Sequence, residues 1–447
     1  MHKKSVVTAV GKYRDLVFNT HKYIWENPES GYREVKTSRY MENIFKKLGY
    51  ELVTAENIPG FYTVLDTGRP GPEILVLGEL DALICAAHPE ADPSTGAVHC
   101  CGHSAQCAAL VGVAAALREP GALDNMYGKI RLCAVPAEEM IELDYRSKLR
   151  EKGVIKYFGG KTEFLSRGYF DGVDAAFMVH TSASGGYEVD KGGVGFIGKE
   201  IIYHGVSAHA GDAPWKGCNA LYAANLGLNA VNAIRETFQE KDIIRVHPII
   251  TNGGSVVNAI PDLLRLECQV RGSSFAAINN ANHKTNRALC GAALSLGANI
   301  EIRDIPGYAP YVNDTKMIEL AREALAIAVP GEIFEETGVI AAGSTDMGDL
   351  SCVMPILHPY IPGAGGICHG DNYRIIDNET AMIKSAKWQL AMLRLLLGDN
   401  ARRARDIIEG YNAPFESKES YLSYLDSLYD EGERICYKNK ASAEVRI

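Results

Sequence analysis

The chain is predicted to be an α/β protein in which a mixed sheet flanked by helices is interrupted by a smaller α+β domain. Three observations carry that expectation. Short apolar runs alternate with amphipathic helical stretches through the first 190 residues. Three of those runs lead into acidic or histidine side chains. Near Val189 the texture changes to a β-α-β-β-α-β order that lasts to about residue 305.

In chain order, Arg33 to Lys47 carries apolar residues at helical spacing, and Gly49 supplies a stop. Glu73 to Leu77 reads as a strand, followed by Glu79-Leu80-Asp81. Lys129 to Val135 reads as a second, followed by Glu138-Glu139, and Asp174 to Val179 as a third, followed by His180. Polar groups at such positions belong at the carboxyl edge of an open α/β sheet, where sites form. After Gly192-Gly193-Val194-Gly195, Phe196 to Tyr203 alternates as a strand. A helix is predicted over Asn219 to Thr237, a strand over Leu263 to Arg271, a helix over Phe275 to Leu296 and a strand over Ala298 to Asp304. These form a small sandwich with one open sheet face. Past Pro306 helices return. Glu379 to Leu397 is amphipathic, and the charged stretch Arg402 to Glu433 is expected to be helical and packed on the surface. The domains are therefore expected at 1–190, 191–305 and 306–447, the first and third building one domain around the second.

A chain of 447 residues can bury two substantial cores. The net charge of -9 argues against general nucleic-acid binding, which needs concentrated Lys and Arg. No apolar run approaches membrane-spanning length, so no membrane association is expected. Met1-His2-Lys3-Lys4 is basic, but no long apolar core or cleavage site follows it, so a cytoplasmic location is expected. The 11 cysteines are odd in number and scattered, which suits buried reduced thiols rather than a disulfide framework.

The chemistry-bearing residues are few. Cys101 and His103 stand two apart in His99-Cys100-Cys101-Gly102-His103-Ser104, at the start of a helical run. A helix N-terminus favours the thiolate, which is the form that binds metal or attacks. The plainer alternative is a buried Cys beside a surface His. Glu138-Glu139 follows an apolar strand and a proline. Adjacent buried carboxylates need a cation or a shared proton, so one could hold a metal while the other moves a proton; two exposed loop charges are the alternative. His180 could be a ligand or a hydrogen-bonded core residue. His369 lies in Gly365-Gly366-Ile367-Cys368-His369-Gly370, where glycines let backbone approach a bound group; it could equally be a plain loop histidine.

These motifs, taken in order, resemble the dinuclear-metal amidohydrolases and exopeptidases that include aminoacylase, hippurate hydrolase, auxin-conjugate hydrolases and the B subunit of aminobenzoyl-glutamate hydrolase. The resemblance runs through Asn27-Pro28-Glu29, Gly78 to Leu83, Cys101-Gly102-His103, Pro136-Ala137-Glu138-Glu139, Ser207-Ala208-His209-Ala210, Gly254 to Asp262 and Gly343-Ser344-Thr345-Asp346. It implies a zinc-exopeptidase-like α/β fold with an inserted ferredoxin-like lid and dimerisation domain. It implies two divalent ions per subunit, manganese or zinc foremost and cobalt or nickel tolerated. The implied ligands are Cys101, His103, Glu139, His180 and His369, with Cys101 bridging and Glu79 and Asp81 behind them. Glu138 would be the general base. His209 would bind the substrate or its oxyanion, often across a homodimer. Asn258 and Arg271 would hold the substrate's carboxylate and carbonyl groups; a turn residue and a surface ion pair are the plainer alternatives.

Departures bear on the substrate. Ser104 and Gln106 stand where the family commonly has Asp and His, Glu79 where many relatives carry Asp or His, and Pro214-Trp215 where Pro-His is common. Glu79-Leu80-Asp81 and Ser344-Thr345-Asp346 look closer to the aminobenzoyl-glutamate branch. The expected activity is hydrolysis of a small amide: an N-acyl amino acid, a dipeptide or an aryl-amide conjugate. Two rivals are a thiol hydrolase using Cys101 and a non-catalytic binding or partner subunit.

Overall fold

The computed structural model describes residues 5–439 and 441–447. It divides into two compact units: Met1–Gly192 with Val312–Val339 and Thr345–Lys418, and Gly193–Tyr311 with Ile340–Ser344 and Glu419–Ile447.

The first unit is built on a six-stranded sheet. Its spatial order is Val53–Thr54, Phe61–Asp66, Lys129–Val135, Glu73–Glu79, Ala175–Phe177 and Ile356–Leu357. The last four strands are parallel to their neighbours, whereas Phe61–Asp66 runs antiparallel to Lys129–Val135. Parallel strands end at one edge. Glu79, opposite Val135, ends its strand on that side, and the Glu138-Glu139 turn and His180 follow strand ends there. Every residue of Glu73–Glu79 is buried, as expected of a parallel strand covered on both faces.

The helix His103–Leu117 is buried along its whole length. It is apolar all round, which suits a helix sealed inside a core. Gly78 permits its close approach: a Cβ there would lie 3.2 Å from Leu110 Cδ2 and 3.5 Å from the Cys107 Cα. The predicted Arg33–Lys47 helix is observed at Val35–Lys47, and Gly49 beyond it has φ +82°. The Glu379–Leu397 segment opens with a π-helical turn, Glu379–Lys384, and continues as an α-helix over Ser385–Leu397. That helix buries Trp388, whose Nε1 donates to the Ala321 carbonyl at 2.8 Å.

The second unit is a ferredoxin-like sandwich. Its strands are Gly195–His204, Arg245–Asn252, Leu263–Gly272 and Asn299–Pro306, with helices Ala220–Ala233 and Phe275–Leu296 between them. The sheet is antiparallel in the spatial order Arg245–Asn252, Leu263–Gly272, Gly195–His204, Asn299–Pro306. Sequence reading located three of these strands and missed Arg245–Asn252. Pro248 interrupts it, and most of its residues face solvent, so it lacks the alternation that marks a half-buried strand. Ile201, Tyr203, Leu266, Val270, Leu289, Ile300 and Ile302 pack together between sheet and helices.

The end of the chain departs from the sequence expectation. Arg402–Gly410 and Lys418–Leu428 are helical, but Asp430–Glu433 is a strand antiparallel to Asn299–Pro306. The last segment thus belongs to the second unit's sheet. Ile435, 2% exposed, anchors it. Charge dominated the reading there; Asp430–Glu433 has no apolar side chain to mark it as a strand. Among the described residues no helix is long and apolar enough to cross a membrane.

Candidate metal centre

The site forms where the parallel strands of the first unit end. Gly102 caps the buried helix with φ +97°, and a Cβ there would sit 2.5 Å from Tyr373 Oη. That turn presents Cys101 and His103 together. His103 Nδ1 lies 2.9 Å from the Asp81 carbonyl and 3.2 Å from Asp81 Oδ1. The carbonyl accepts, so Nδ1 carries the proton and donates to it. His103 Nε2 then faces Glu79 Oε2 at 3.2 Å and Glu138 Oε2 at 4.0 Å. His180 is set the same way: Nδ1 donates to the Thr181 carbonyl at 2.9 Å, and Nε2 lies 3.5 Å from Cys101 Sγ. An imidazole fixed by its Nδ1–H and left with a bare Nε2 is the form that binds a metal.

The carboxylates arrive on a strained turn. Ala137 adopts φ +58°, and its N–H donates to buried Glu34 at 2.7 Å. This turn lets Glu138 and Glu139 follow the strand into the site. The Glu139 N–H donates to Asp81 Oδ2 at 2.8 Å, and Glu139 Oε1 lies 3.1 Å from His369 Nε2. His369 itself has φ +63°, and its N–H donates to the Cys100 carbonyl at 2.9 Å.

Behind the carboxylates sits Lys161, completely buried. Its Nζ donates to Glu79 Oε1 at 2.5 Å and to Asp346 Oδ1, while its backbone N–H donates to Asp346 Oδ2 at 2.8 Å. Burial works to raise the Glu79 pKa, but Lys161 and then His103 outweigh it and hold the carboxyl at about 2. Glu138 goes the other way: burial, then Glu79 and Glu139, push it well above the ordinary carboxylate value. His103 is raised by Glu79 and Asp81 against the opposing effect of burial. Two neighbouring carboxyl groups are thus pushed apart, one ionised and one inclined to hold a proton.

Divalent ions suit this site. Ligand atoms of Cys101, His103 and His180 lie within 4.8 Å of one another, as do those of His103, Glu138 and Glu139 and those of Cys101, Cys368 and His369. Buried His103 Nε2, Glu79 Oε2, Asp81 Oδ1 and Glu139 Oε1 make no hydrogen bond. Atoms of that kind are costly to bury unless a cation satisfies them. Thiol, imidazole and carboxylate together suit a divalent transition ion.

Cys101, His103, Glu138, Glu139, His180 and His369, with Glu79 and Asp81, all lie in this cluster of the first unit. In the Cys101–Cys368 pair the shared hydrogen bond, then burial and Glu139, push the Cys101 thiol well above its ordinary value, and the same hydrogen bond lowers Cys368 to about 4.

His209, Asn258 and Arg271 belong to the second unit. His209 Nδ1 accepts from the N–H groups of Gly211 at 3.2 Å and Asp212 at 2.9 Å. Its proton is therefore on Nε2, as an exposed donor. Asn258 lies beside it, its carbonyl accepting from the Ala210 N–H at 2.9 Å. Arg271 is held by Gln269 Oε1 at 2.7 Å and Ser344 Oγ at 3.2 Å, over the Phe196 ring. Ser104, in place of the family's Asp, sits 3.1 Å from His21 Nδ1.

Sequence reasoning missed Lys161, and quoted Asp346 and Cys368 only as parts of motifs. Lys161 had no signal of its own in the sequence; the close packing of the preceding Gly160, where a Cβ would fall 1.6 Å from the Pro136 carbonyl oxygen, is visible only in the structure. A lysine that needs such tight backbone packing beside it is not a surface lysine. Cys368 had its place next to His369.

A model of peptidase family M20/M25/M40 matches residues 75–394. A human Xaa-Arg dipeptidase is 30% identical over 371 residues, covering 78% of this chain and 77% of its own length. The B subunit of p-aminobenzoyl-glutamate hydrolase from Escherichia coli (strain K12) is 26% identical over 315 residues, 68% of this chain and 60% of its own. Among solved structures, a dinuclear metal binding peptidase of the M20 family from Bacillus subtilis superposes with a TM-score of 0.64 at 20% identity, over 87% of this chain and 99% of that one. An aminobenzoyl-glutamate utilization protein from Klebsiella pneumoniae gives 0.64 at 20% identity, over 88% and 98%.

Proposed function

This chain belongs to peptidase family M20/M25/M40 and is a metal-dependent hydrolase of amide bonds; from that premise we propose that it cleaves a small amide lying next to a free carboxylate, with Glu138 as general base. The observation that carries this reading is the convergence of Cys101, His103, Glu138, Glu139, His180 and His369 at one sheet edge.

We assign Cys101, His103, Glu139, His180 and His369 as the residues that would hold two divalent ions. The donor set is compatible with manganese, zinc, cobalt or nickel. When bound, such ions acidify water and polarise the scissile carbonyl. Glu138, with its raised pKa, takes the proton of the attacking water and returns it to the leaving amine. The Nε2–H of His209 donates to the oxyanion, in the same or a partner protomer; one such donor contributes about 3 kcal/mol to the transition state. Asn258 and Arg271 hold the substrate's carbonyl and carboxylate. The second unit also serves as dimer contact: Arg245–Asn252 is an edge strand with Ile249 and Ile250 exposed, a surface suited to a second copy. A Cys101 nucleophile is disfavoured, because the hydrogen bond with Cys368, then burial and Glu139, push its thiol pKa up.

The substrate classes are dipeptides, N-acyl amino acids and aryl-amide conjugates of amino acids. The relatives suggest a panel containing Xaa-Arg dipeptides and aminobenzoyl-glutamate. The decisive variant is Glu138→Gln. Turnover on the panel should fall by at least about 100-fold, as expected for loss of a positioned base, while bound metal measured by elemental analysis stays at the wild-type level. Retained turnover removes Glu138 from this role; lost metal makes it a ligand.

A further inference from the structure

Cys368 is a thiol that the ligand set above does not use. Its Sγ, Cys101 Sγ and a ring nitrogen of His369 lie within 4.8 Å of one another. That is close to the reach of one ion bonding sulfur at about 2.3 Å and nitrogen at about 2.0 Å. Glu139 Oε1, buried and without a hydrogen bond, lies 3.1 Å from His369 Nε2 on the same side.

The backbone is shaped to bring these groups together. In extended chain, consecutive side chains point to opposite sides. The left-handed conformation of His369, φ +63°, breaks that alternation, and both residue 368 and residue 369 turn toward Cys101. The loop is tied down around them. The His369 N–H donates to the Cys100 carbonyl at 2.9 Å, and the Ile367 N–H donates to Asn372 Oδ1 at 2.9 Å. Gly366, φ +83°, passes so close that a Cβ would lie 2.2 Å from the Asn372 carbonyl oxygen. Ala364–Gly365 and Arg374–Ile375 close the base as a short antiparallel ladder.

We propose that Cys368 is a further metal ligand, a second thiolate on the ion held by Cys101, Glu139 and His369, and that it makes that position select zinc over manganese. The inference rests on the metal reading above. Its basis is donor softness: two sulfurs, one nitrogen and one carboxylate oxygen match zinc, whereas manganese prefers oxygen donors. The other position, with Cys101, His103, His180 and the neighbouring carboxylates, keeps a single sulfur.

The test uses full-length, reduced, metal-free protein, wild type and Cys368→Ser, titrated with Zn²⁺ and separately with Mn²⁺ against a chromophoric chelator. In the variant, zinc affinity at one site should fall at least about 10-fold, the scale on which lost metal-site partners act, while manganese affinity changes by less than about 3-fold. Loaded with Co²⁺, the wild type should show a thiolate-to-cobalt absorption band that weakens in the variant at equal cobalt content. Equal losses for zinc and manganese, no loss for either, an unchanged cobalt band, or a Cys101–Cys368 disulfide persisting in the metal-loaded wild type would each overturn the proposal. Wild-type protein that binds neither ion would instead bring down the metal reading on which it stands.

Discussion

Lys161 shows how much one side chain decides here. It is a lysine with no access to water, facing Glu79 and Asp346. Removing one partner of a buried ionic group costs more than the group's net contribution, because the remaining charges stay buried. Lys161→Met should therefore destabilise the metal-free protein by about 3 kcal/mol or more in urea unfolding. A loss below about 1 kcal/mol would mean that water or rearrangement replaces the ammonium. Nothing near Lys161 in sequence announces these partners: Glu79 is 82 residues away and Asp346 is 185. Cys101, His103, Glu138, Glu139, His180 and His369 were legible because each carries ligand chemistry beside a turn or strand end. Lys161 was not, because a lone lysine ordinarily reads as surface.

At the scale of the element, the second unit's sheet is fastened to its long helix by a buried polar network. Lys199 on Gly195–His204 donates to Asp304 on Asn299–Pro306 and to Asn282 Oδ1 at 2.7 Å on Phe275–Leu296. Asn282 and Asn286 donate to Asp304 Oδ2 at 2.8 and 3.1 Å. Burial works to raise the Asp304 pKa, but Lys199 and the two asparagines outweigh it and the pKa is lowered. A carboxylate whose folded pKa is depressed stabilises the fold above its unfolded value, near 3.9, and that stabilisation is lost as pH falls through the lower folded value. Asp304→Asn should cost about 3 kcal/mol at pH 7, and the gap between variant and wild type should narrow below about pH 4. An equal gap at pH 7 and pH 3, read by urea unfolding, would show that the charge is not what matters. The sequence pattern located the strands and the helix that carry these residues, since period 2 and period 3.6 are local properties. It could not show that their polar residues meet.

For the whole molecule, the edge strand Arg245–Asn252 sets the expected assembly. Ile249 is 61% exposed and Ile250 48%, on a strand with one unpaired side. If two copies pair there, Ile250→Lys should convert a dimer to a monomer in sedimentation analysis while leaving metal content unchanged. A wild type that already sediments as a monomer defeats the dimer assignment. The sequence by itself determined the class of fold, the change of texture that marks the second unit, and the ordered motifs that place the chain in its family. Those are encoded in neighbouring residues, through periodicity and turn chemistry. Tertiary structure alone decided that the chain's end returns to the second sheet, that Lys161 neutralises the carboxylates behind Glu138, and that Cys368 meets Cys101 across 267 residues (368 less 101). Such pairings depend on strand order, loop closure and burial, which bring together groups with no local mark of one another.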